Sequence, residues 1–376
     1  MLIVAKGANG ERIEYHDRKR YLWLLSLTVP LPPIIAVWLY HVLDQNSWVL
    51  FFPFAYTFTL IPLLDAIFGE DPSDPPPEIL EIMEHDLYYR VLLYVAIFLF
   101  WLSAIVTTWF VGTHEIPILA MIFLAISVGQ NNGTAITVGH EFGHRSTLQD
   151  KLMSKLMLAL SAYGHFAIEH NRGHHAHVAT PEDSASARYG ENLYHFFIRD
   201  SLGALTRGWG YETERLRRKG HRWWHWSNDI LHSYAISAVA VVTIFYLFGL
   251  AILPFMAIAF VTGWMALSQA NYVEHYGLLR QRDENGKYEP CAPRHSWNTN
   301  HVVSNLMLFH LQRHSDHHTY PLRPYQTLRN FDDLPSLPSG YPGSFWLAAV
   351  PPLWFKVMNP KALDWAGGDE TLLNHG

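Results

Sequence analysis

The chain has 376 residues, of which 49% are hydrophobic, and it is rich in aromatic residues, with 14 Trp, 19 Tyr and 21 Phe. A formal net charge of -6 argues against a nucleic-acid partner. The single cysteine, Cys291, excludes an internal disulfide and any metal site built from paired cysteines, whereas the 23 histidines nearly equal the 27 lysines and arginines in number.

Six hydrophobic runs are long enough to cross a bilayer, which takes about 20 mostly apolar residues. They cover residues 21–41, 48–68, 91–111, 116–138, 230–249 and 250–272. Prolines in the first two runs predict kinks, which membrane helices tolerate. The predicted fold class is therefore all-α, a polytopic membrane protein with six transmembrane helices. A soluble helical protein is the alternative, but the third run is a full span without a charge.

The basic residues predict which side of the membrane each connection occupies, because cytoplasmic flanks carry the excess of Lys and Arg. Four basic residues lie between positions 12 and 20, whereas the connections 41–47 and 112–115 contain none. We expect both termini on the cytoplasmic side, and no signal peptide, since a polar stretch precedes the first run. The histidine-rich segments 139–229 and 273–376 would form a cytoplasmic helical cap on a single domain, 1–376.

Four histidine clusters follow the membrane runs. They are HEFGH at 140–144, HNRGHH at 170–175, the histidine of NYVEHYG at 271–277, and HSDHH at 314–318. On a helix, residues three and four apart share a face, so each multiple cluster directs two or three imidazoles the same way. The predicted topology brings all four clusters to the cytoplasmic boundary.

Nine imidazoles exceed what one metal ion uses, since tetrahedral zinc takes four ligands. Two ions with four or five nitrogens each would use all nine. Imidazole binds Zn, Cu, Fe and Ni, but iron suits oxidation of an apolar substrate because zinc has no redox chemistry. His275 has no histidine neighbour, so spacing leaves it between a ligand and a packed core residue. The remaining candidates are interpreted as supporting or surface groups: His165, His177, His295, His301 and His310.

Two other interpretations of the histidines stay open at this point. Residues 140–144 match the HExxH zinc peptidase motif, in which Glu141 would be the general base. One peptidase zinc would not account for the HxxxHH and HxxHH clusters. A transporter would place its histidines at mid-span along a pathway, whereas these clusters follow the runs.

Longer stretches around the clusters resemble the membrane-bound alkane 1-monooxygenases. The resemblance is carried by HEFGHR at 140–145, EHNRGHHAHVATPEDSASA at 169–187, NYVEHYG at 271–277 and LQRHSDHHTYP at 311–321, and it extends from residue 21 to residue 369. Three histidine boxes alone would also fit membrane fatty-acid desaturases and hydroxylases. The NYVEHYG and LQRHSDHH stretches narrow the match, and a fatty-acyl desaturase or hydroxylase is the alternative.

The resemblance implies a di-iron enzyme of the bacterial inner membrane. With O2, it would hydroxylate the terminal methyl of medium- to long-chain n-alkanes, taking electrons from rubredoxin and a rubredoxin reductase. By position, the implied iron ligands are His140, His144, His170, His174, His175, His275, His314, His317 and His318. Some relatives carry a fused rubredoxin, whose cysteines this sequence lacks. We therefore expect either a separate donor or that the sequence is a truncated piece of a longer protein.

Further residues are predicted to support this chemistry. Four carboxylates beside the ligands would orient imidazoles through their N–H groups: Glu141, Glu169, Glu274 and Asp316. Thr57, in the second run, would line the alkane channel, where a small side chain leaves room for a long substrate. Rubredoxins are typically acidic, so a basic patch is the predicted dock, although it also fits the positive-inside rule: Arg215, Arg217, Arg218, Lys219 and Arg222.

Overall fold

Helices form most of the chain in the computed structural model, which describes residues 1–376. The α-helices are α1 (Leu31–Val42), α2 (Phe52–Ala55), α3 (Ile61–Phe68), α4 (Pro77–Glu84), α5 (Leu87–Thr113), α6 (Ile118–Gly143), α7 (Leu148–Ala159), α8 (Phe166–Glu169), α9 (His175–His177), α10 (Leu193–Arg218), α11 (Asp229–Phe248), α12 (Leu253–His275), α13 (Val302–Met307), α14 (His314–Thr319), α15 (Tyr341–Ala349) and α16 (Pro351–Trp365). Two π-helical turns, Tyr56–Leu60 and His170–His174, join neighbouring helices.

Five helices are long and apolar enough to cross a membrane, and a bent pair makes a sixth, as predicted. The five are Ser47–Phe68, Leu87–Thr113, Ile118–Gly143, Asp229–Phe248 and Leu250–His275. Two predicted runs were too short: α5 begins four residues before position 91, and α6 ends five residues after position 138. The longer α6 carries His140 inside its last turn, which fixes the direction of that side chain.

The first predicted run is a broken span rather than one helix. A 3-10 helix, Arg20–Thr28, meets α1 at an angle of 55°. Prolines at 30, 32 and 33 occupy the junction and the first turn of α1. Proline has no backbone N–H and clashes with the preceding turn, so it is tolerated at a helix start and ends the helix before it. The sequence predicted a kink here but not its size.

The amino terminus forms a β-hairpin that the sequence analysis did not predict. β1 (Leu2–Lys6) and β2 (Arg12–His16) pair antiparallel, with Leu2 opposite His16. Asp17, directly after β2, accepts a hydrogen bond of 2.7 Å from the phenol of Tyr89 in α5. That contact ties the hairpin to a long helix. The predicted all-α class is otherwise confirmed, since this is the only sheet.

Helices α6 and α12 pack with their backbones almost in contact. A Cβ atom placed on Gly133 would lie 2.7 Å from the carbonyl oxygen of Gly263, closer than real side chains come. Gly129, one turn earlier, similarly faces Ala259 and the side chain of Thr262. Small residues four apart allow membrane helices to approach in this way. Both helices end in histidines. This contact therefore fixes the separation of the helix ends that carry them.

Helix α10 and the carboxyl-terminal helices enclose the end of α12. Asp200 in α10 accepts hydrogen bonds from Ser268 Oγ at 2.6 Å and from Asn271 Nδ2 at 3.2 Å. On another side, Trp354 of α16 packs against Tyr272 with ring centroids 5.2 Å apart. The last turn of α12 is consequently buried on all sides, with His275 wholly inaccessible.

Candidate metal centre

The nine predicted ligands converge in two groups that share no member. The first, called the five-histidine group, contains His140, His144, His170, His175 and His317. The second, called the four-histidine group, contains His174, His275, His314 and His318. Within each group the nitrogens that would bind a metal all lie within 4.8 Å of one another.

Local backbone geometry divides the histidines between the groups. His170 and His175 are five residues apart, and the π-helical turn between them places their Nε2 atoms 3.0 Å apart. His174 then faces the other group. In α14, His314 and His318 are one α-helical turn apart and share a group, whereas His317 points across to the five-histidine group. Two short segments therefore contribute to both groups.

Distances between the nitrogens are those expected around a metal ion. In the five-histidine group, His140 Nε2 lies 2.9 Å from His317 Nε2 and 3.0 Å from His144 Nε2. In the four-histidine group, His314 Nε2 lies 2.9 Å from His318 Nε2 and 3.2 Å from His275 Nε2. Nitrogens bound at about 2.0–2.1 Å to one ion are about 3 Å apart when they subtend a right angle.

Hydrogen bonds at the far side of two rings fix which nitrogen carries the proton. His174 Nδ1 donates to Asp183 Oδ2 at 2.9 Å, and His275 Nδ1 donates to the carbonyl oxygen of His295 at 3.2 Å. In the neutral ring each Nε2 then presents a lone pair, and it lies beside another imidazole nitrogen. Such a donor set fits a cation, because a metal-binding histidine characteristically donates its other N–H to a carboxylate or carbonyl.

Burial favours the neutral form of most of these rings. His174 is the exception, because Asp183 outweighs the effect of burial and raises its pKa. Burial lowers the pKa of His170, His317 and His318 well below the ordinary value, and the neighbouring imidazoles lower it further. Burial likewise lowers the pKa of His144 to about 4. Neutral imidazole is the form that binds a metal. Neutral imidazoles add no positive charge that would repel a metal cation, so they leave the site able to bind one.

Asp183 contacts a candidate ligand, His174, and the sequence did not single it out. Burial alone would raise its pKa, but His174 and Arg207 together hold the pKa well below the usual value. Its second oxygen, Oδ1, accepts a hydrogen bond of 2.8 Å from Arg207 Nη2, and Arg207 also pairs with Glu169. The sequence signal was a carboxylate shortly after a histidine cluster, but its nine-residue spacing matches no helical repeat.

Three of the four carboxylates predicted to orient imidazoles bind arginines instead. Glu141 pairs with Arg145 at 2.9 Å. Glu169 pairs with Arg207, which in turn pairs with Asp183, the residue that contacts His174. Asp316 pairs with Arg323 and Arg329 and also accepts the backbone N–H of Arg329. Acidic neighbours in sequence point away from the ligand face of their helix, so they stabilise the surrounding segments rather than the rings.

Glu274 does approach an imidazole, but from the metal-facing side. Its Oε2 lies 3.2 Å from Nε2 of His314, and its Oε1 accepts a hydrogen bond of 2.7 Å from the phenol of Tyr341. The carboxylate thus stands among the converging nitrogens of the four-histidine group instead of behind a ring. It adds an oxygen donor to that group.

The histidines set aside in the sequence analysis lie outside both groups. His310, the most ambiguous, is buried against Trp23 with ring centroids 4.4 Å apart. His165 contacts the phenol of Tyr234 at 2.8 Å. His295 supports the site through its backbone carbonyl rather than its ring. His177 pairs with Glu182 at the surface, and His301 pairs with Glu70.

Two small cavities lie beside or near the histidines, between the helices. The first, about 50 Å³, is lined by His140 and His170 of one group and His314 of the other. The second, also about 50 Å³, is lined by Thr57, the predicted channel residue. Both are lined by Thr134, Leu308 and Phe345, so the two cavities adjoin and these side chains form the wall between them.

The predicted docking residues lie at the end of α10 and in the turn after it. Arg217 and Arg218 both pair with Glu214, so the three side chains together carry one net positive charge instead of two. Arg215 forms an ion pair with Glu212 and donates a hydrogen bond to the carbonyl oxygen of Ser227. Its side chain is only 18% exposed, so it offers little charge to a partner. Lys219 and Arg222 are exposed and make no ion pair.

Several known proteins are similar to this chain. The profile of the fatty acid desaturase family matches residues 115–346. An alkane 1-monooxygenase of Ectopseudomonas oleovorans is 48% identical over 358 residues, which cover 95% of this chain and 88% of that protein. An alkane 1-monooxygenase of Pseudomonas putida is 47% identical over the same shares. Alkane 1-monooxygenase 1 of Alcanivorax borkumensis is 45% identical over 94% of this chain and 88% of its own length.

The contact between His174 and Asp183 generates a test. Replacing a carboxylate behind a metal-binding histidine typically lowers metal affinity about 10–100-fold. We expect Asp183→Ala to show that loss, measured by competition with a chelator and metal analysis of the purified protein. Glu182→Ala is the matched control, because Glu182 is exposed and touches no ligand of either group. Equal metal retention in both variants would refute the role of Asp183.

Proposed function

The chain belongs to the alkane 1-monooxygenase family, and on that premise we propose that it hydroxylates the terminal methyl of medium- to long-chain n-alkanes. The observation that carries the proposal is a cavity bordered by both histidine groups at the end of a narrow passage between membrane helices. An alkane reaching the end of that passage would have its terminal carbon beside both groups.

Two iron ions are proposed as the cofactor. The five-histidine group would hold one, and the four-histidine group, completed by Glu274, would hold the other. When bound, iron supplies the one-electron chemistry that O2 activation requires and that zinc lacks. One oxygen atom is inserted into the terminal C–H bond and the other leaves as water, so each turnover consumes two electrons and two protons.

The chain's own residues position the substrate and keep bulk water out. An alkane offers no polar group, so only the shape of the passage can select it. Leu308 and Phe345, which border both narrow cavities, must move aside for the chain to pass. In their observed positions these side chains separate the histidine cavity from the outer one. They would therefore admit hydrocarbon while limiting the access of water.

Two alternatives are disfavoured by specific contacts. A zinc peptidase would need Glu141 free as a base, but Glu141 pairs with Arg145. His140 and His144 also share their group with three further histidines, more than one peptidase zinc uses. A fatty-acyl desaturase or hydroxylase remains chemically close, and the product distinguishes it: an alcohol from an alkane, or a modified acyl chain.

The histidine groups are proposed to face the cytoplasm from the inner membrane of a bacterium. Both groups lie at the carboxyl end of α6 and of α12. The connections at the opposite ends of the spans, 43–46 and 114–117, contain no Lys or Arg. The positive-inside rule then places the histidine ends, whose adjacent segments are basic, on the cytoplasmic side.

The decisive experiment combines metal analysis with product analysis. Purified protein supplied with iron should bind about two iron ions per chain, as two separate ligand groups require. With O2, rubredoxin and its reductase, it should convert dodecane to 1-dodecanol, identified by gas chromatography. One zinc per chain without iron would contradict the proposal. Conversion of palmitate but not of dodecane would favour the acyl-chain alternative.

The position of Thr57 predicts a change in chain-length range. Thr57→Trp would fill the outer cavity, and overpacking costs about 1–3 kcal/mol. Turnover of hexadecane should fall about tenfold or more, while turnover of octane should change little. Thr59→Trp is the matched control, because Thr59 is two residues along the same segment and exposed. An unchanged hexadecane-to-octane ratio in Thr57→Trp would remove Thr57 from the passage.

The electron donor is proposed to be rubredoxin, docked where the ligands come nearest to the surface. His144 and His175 are the only partly exposed members of either group, and both belong to the five-histidine group. Arg145 follows one of them, and exposed Arg172 lies one helical turn before the other. The predicted basic patch is farther away: Arg218 lies ten residues beyond Gly208, the α10 residue against Glu169.

These two basic surfaces predict different effects of charge reversal. Arg172→Glu should raise the KM for rubredoxin about tenfold, because like charge at a docked contact costs over 1 kcal/mol. The double variant Arg217→Glu, Arg218→Glu should slow association only at low salt, as expected of long-range steering. Turnover with a small-molecule reductant is the control and should be unchanged in both. A normal KM in Arg172→Glu would move the dock elsewhere.

A further inference from the structure

Helix α10 presents a stripe of large, uncharged side chains that are exposed. The members of this apolar stripe are Tyr194, Ile198, Leu202 and Leu205. With 3.6 residues per turn, these four positions fall within about 80° of one another around the helix axis. Two arginines in the same part of α10 do not reach the stripe, because Arg199 pairs with Glu191 and Arg207 pairs with Asp183. A helix in water ordinarily exposes charged or polar residues on its outer face.

Helix α10 lies across the ends of two membrane spans. Asp200, near its middle, accepts hydrogen bonds from Ser268 and Asn271 of α12. Three helical turns later, Glu212 Oε1 accepts the backbone N–H of Asp229, the first residue of α11, at 2.7 Å. α11 and α12 are consecutive spans, so the start of α11 and the end of α12 lie on the same side of the membrane. Helix α10 therefore lies at the membrane boundary, on the side of the histidine groups.

The turn 219–226, which follows α10, carries three exposed tryptophans. They are Trp223, Trp224 and Trp226, and the last is 79% exposed. Trp226 comes three residues before the first residue of α11, so these rings lie close to the start of a membrane span. Tryptophan is enriched at membrane–water interfaces, because its indole is apolar over most of its surface and has one polar N–H.

Contacts with the backbone hold this turn in place. Asn228 Nδ2 donates to the carbonyl oxygen of Trp223 at 2.7 Å, and Asn228 Oδ1 accepts the backbone N–H of Ile230 at 2.9 Å. Arg215 Nη2 donates to the carbonyl oxygen of Ser227 at 2.6 Å. The backbone of the turn is therefore tied to both α10 and α11, and its indoles are directed outward from a fixed base.

The charges of this region suit an anionic surface. Glu214 is the only acidic residue between positions 213 and 228, and two arginines share it. Lys219 and Arg222 are exposed and make no ion pair. The guanidinium carbon of Arg222 lies 5.0 Å from the ring centroid of Trp224, so a cation and an indole are presented together. Anionic phospholipids attract basic residues that lie beside a membrane span.

We propose that α10 and the turn 219–226 bind the surface of an anionic phospholipid bilayer. The apolar stripe and the three indoles enter the boundary between headgroups and acyl chains, and Lys219 and Arg222 contact headgroup phosphates. Continuity with α11, most of which is not buried by the rest of the protein, favours a bilayer over a protein partner. The predicted basic patch then binds lipid at close range rather than rubredoxin. This contact does not depend on which reaction the protein catalyses.

Spin labels on single cysteines test the position of the apolar stripe. Ile198→Cys and Leu202→Cys, each combined with Cys291→Ser, are labelled in vesicles of phosphatidylcholine and phosphatidylglycerol. Electron paramagnetic resonance measures their collisions with O2 and with a neutral, water-soluble nickel chelate. Nickel collisions should be about fivefold fewer than at Glu284→Cys in an exposed loop, because a polar chelate is excluded from the acyl chains. They should approach the value at Val242→Cys, on the exposed side of α11.

Photoactivatable lipids test the role of the two cations. Phosphatidylglycerol and phosphatidylcholine, each with a diazirine beside the headgroup, are compared at equal mole fractions, and mass spectrometry measures labelling of residues 219–226. One basic residue near an anionic surface contributes about a fivefold preference, so phosphatidylglycerol should label this turn at least about fivefold more. Lys219→Gln with Arg222→Gln should abolish the preference. Lys6→Gln with Lys287→Gln, which removes two exposed cations elsewhere, should leave it unchanged.

Several results would overturn the proposal. Nickel access at both stripe positions equal to that at Glu284→Cys would place the stripe in water. Low access to O2 and to nickel together would indicate a protein contact, and dipolar broadening between labels would identify a second copy of this chain. Equal labelling by the two lipids would exclude an anionic preference. A protein that fails to convert dodecane but gives the expected access and labelling would contradict the proposed function and support the membrane contact.

Discussion

Nine imidazole nitrogens converge at the end of the membrane helices, and the rest of the structure accommodates that convergence. Imidazole rings packed with their ligand nitrogens side by side have lost their hydration. The rings must therefore be held by other groups until cations are bound. Asp183 and the carbonyl of His295 hold two of them directly. Ion pairs, such as Arg207 with Asp183, hold the segments behind them. Metal binding to such a site contributes to the stability of the fold as well as to its chemistry.

The spacing of the two histidine groups depends on one helix contact. Helix α6 contributes His140 to the five-histidine group, and α12 contributes His275 to the four-histidine group. Their backbones meet at Gly133 and Gly263, so neither helix can move closer. The π-helical turn and α14 each span both groups, which prevents the helices from separating without loss of ligands from both. Close packing of α6 and α12 at their glycines within the membrane thus fixes the distance between the two histidine groups at the helix ends.

Periodicity predicted the parts of this site that are local, and it failed where contacts are long-range. The six runs and the clustered histidines follow from composition and from helical spacing. The division of the second cluster could not be predicted, because an α-helical spacing pairs His170 with His174, whereas the π-helical turn pairs His170 with His175. Asp183 was missed because a turn, not a helix, returns it to His174. Asp316 was misassigned because adjacency in sequence does not show which face an acidic residue takes.

An alkane dissolved in the bilayer is already out of water, so burial in the protein provides little further driving force. Under the proposed function, recognition then comes from the width of the channel, which the narrow cavity lined by Thr57 would set. Hydroxylation changes this balance, because a hydroxyl in the hydrocarbon core lacks hydrogen-bond partners. Any protein group at mid-membrane depth with a free donor or acceptor will then favour the alcohol over the alkane.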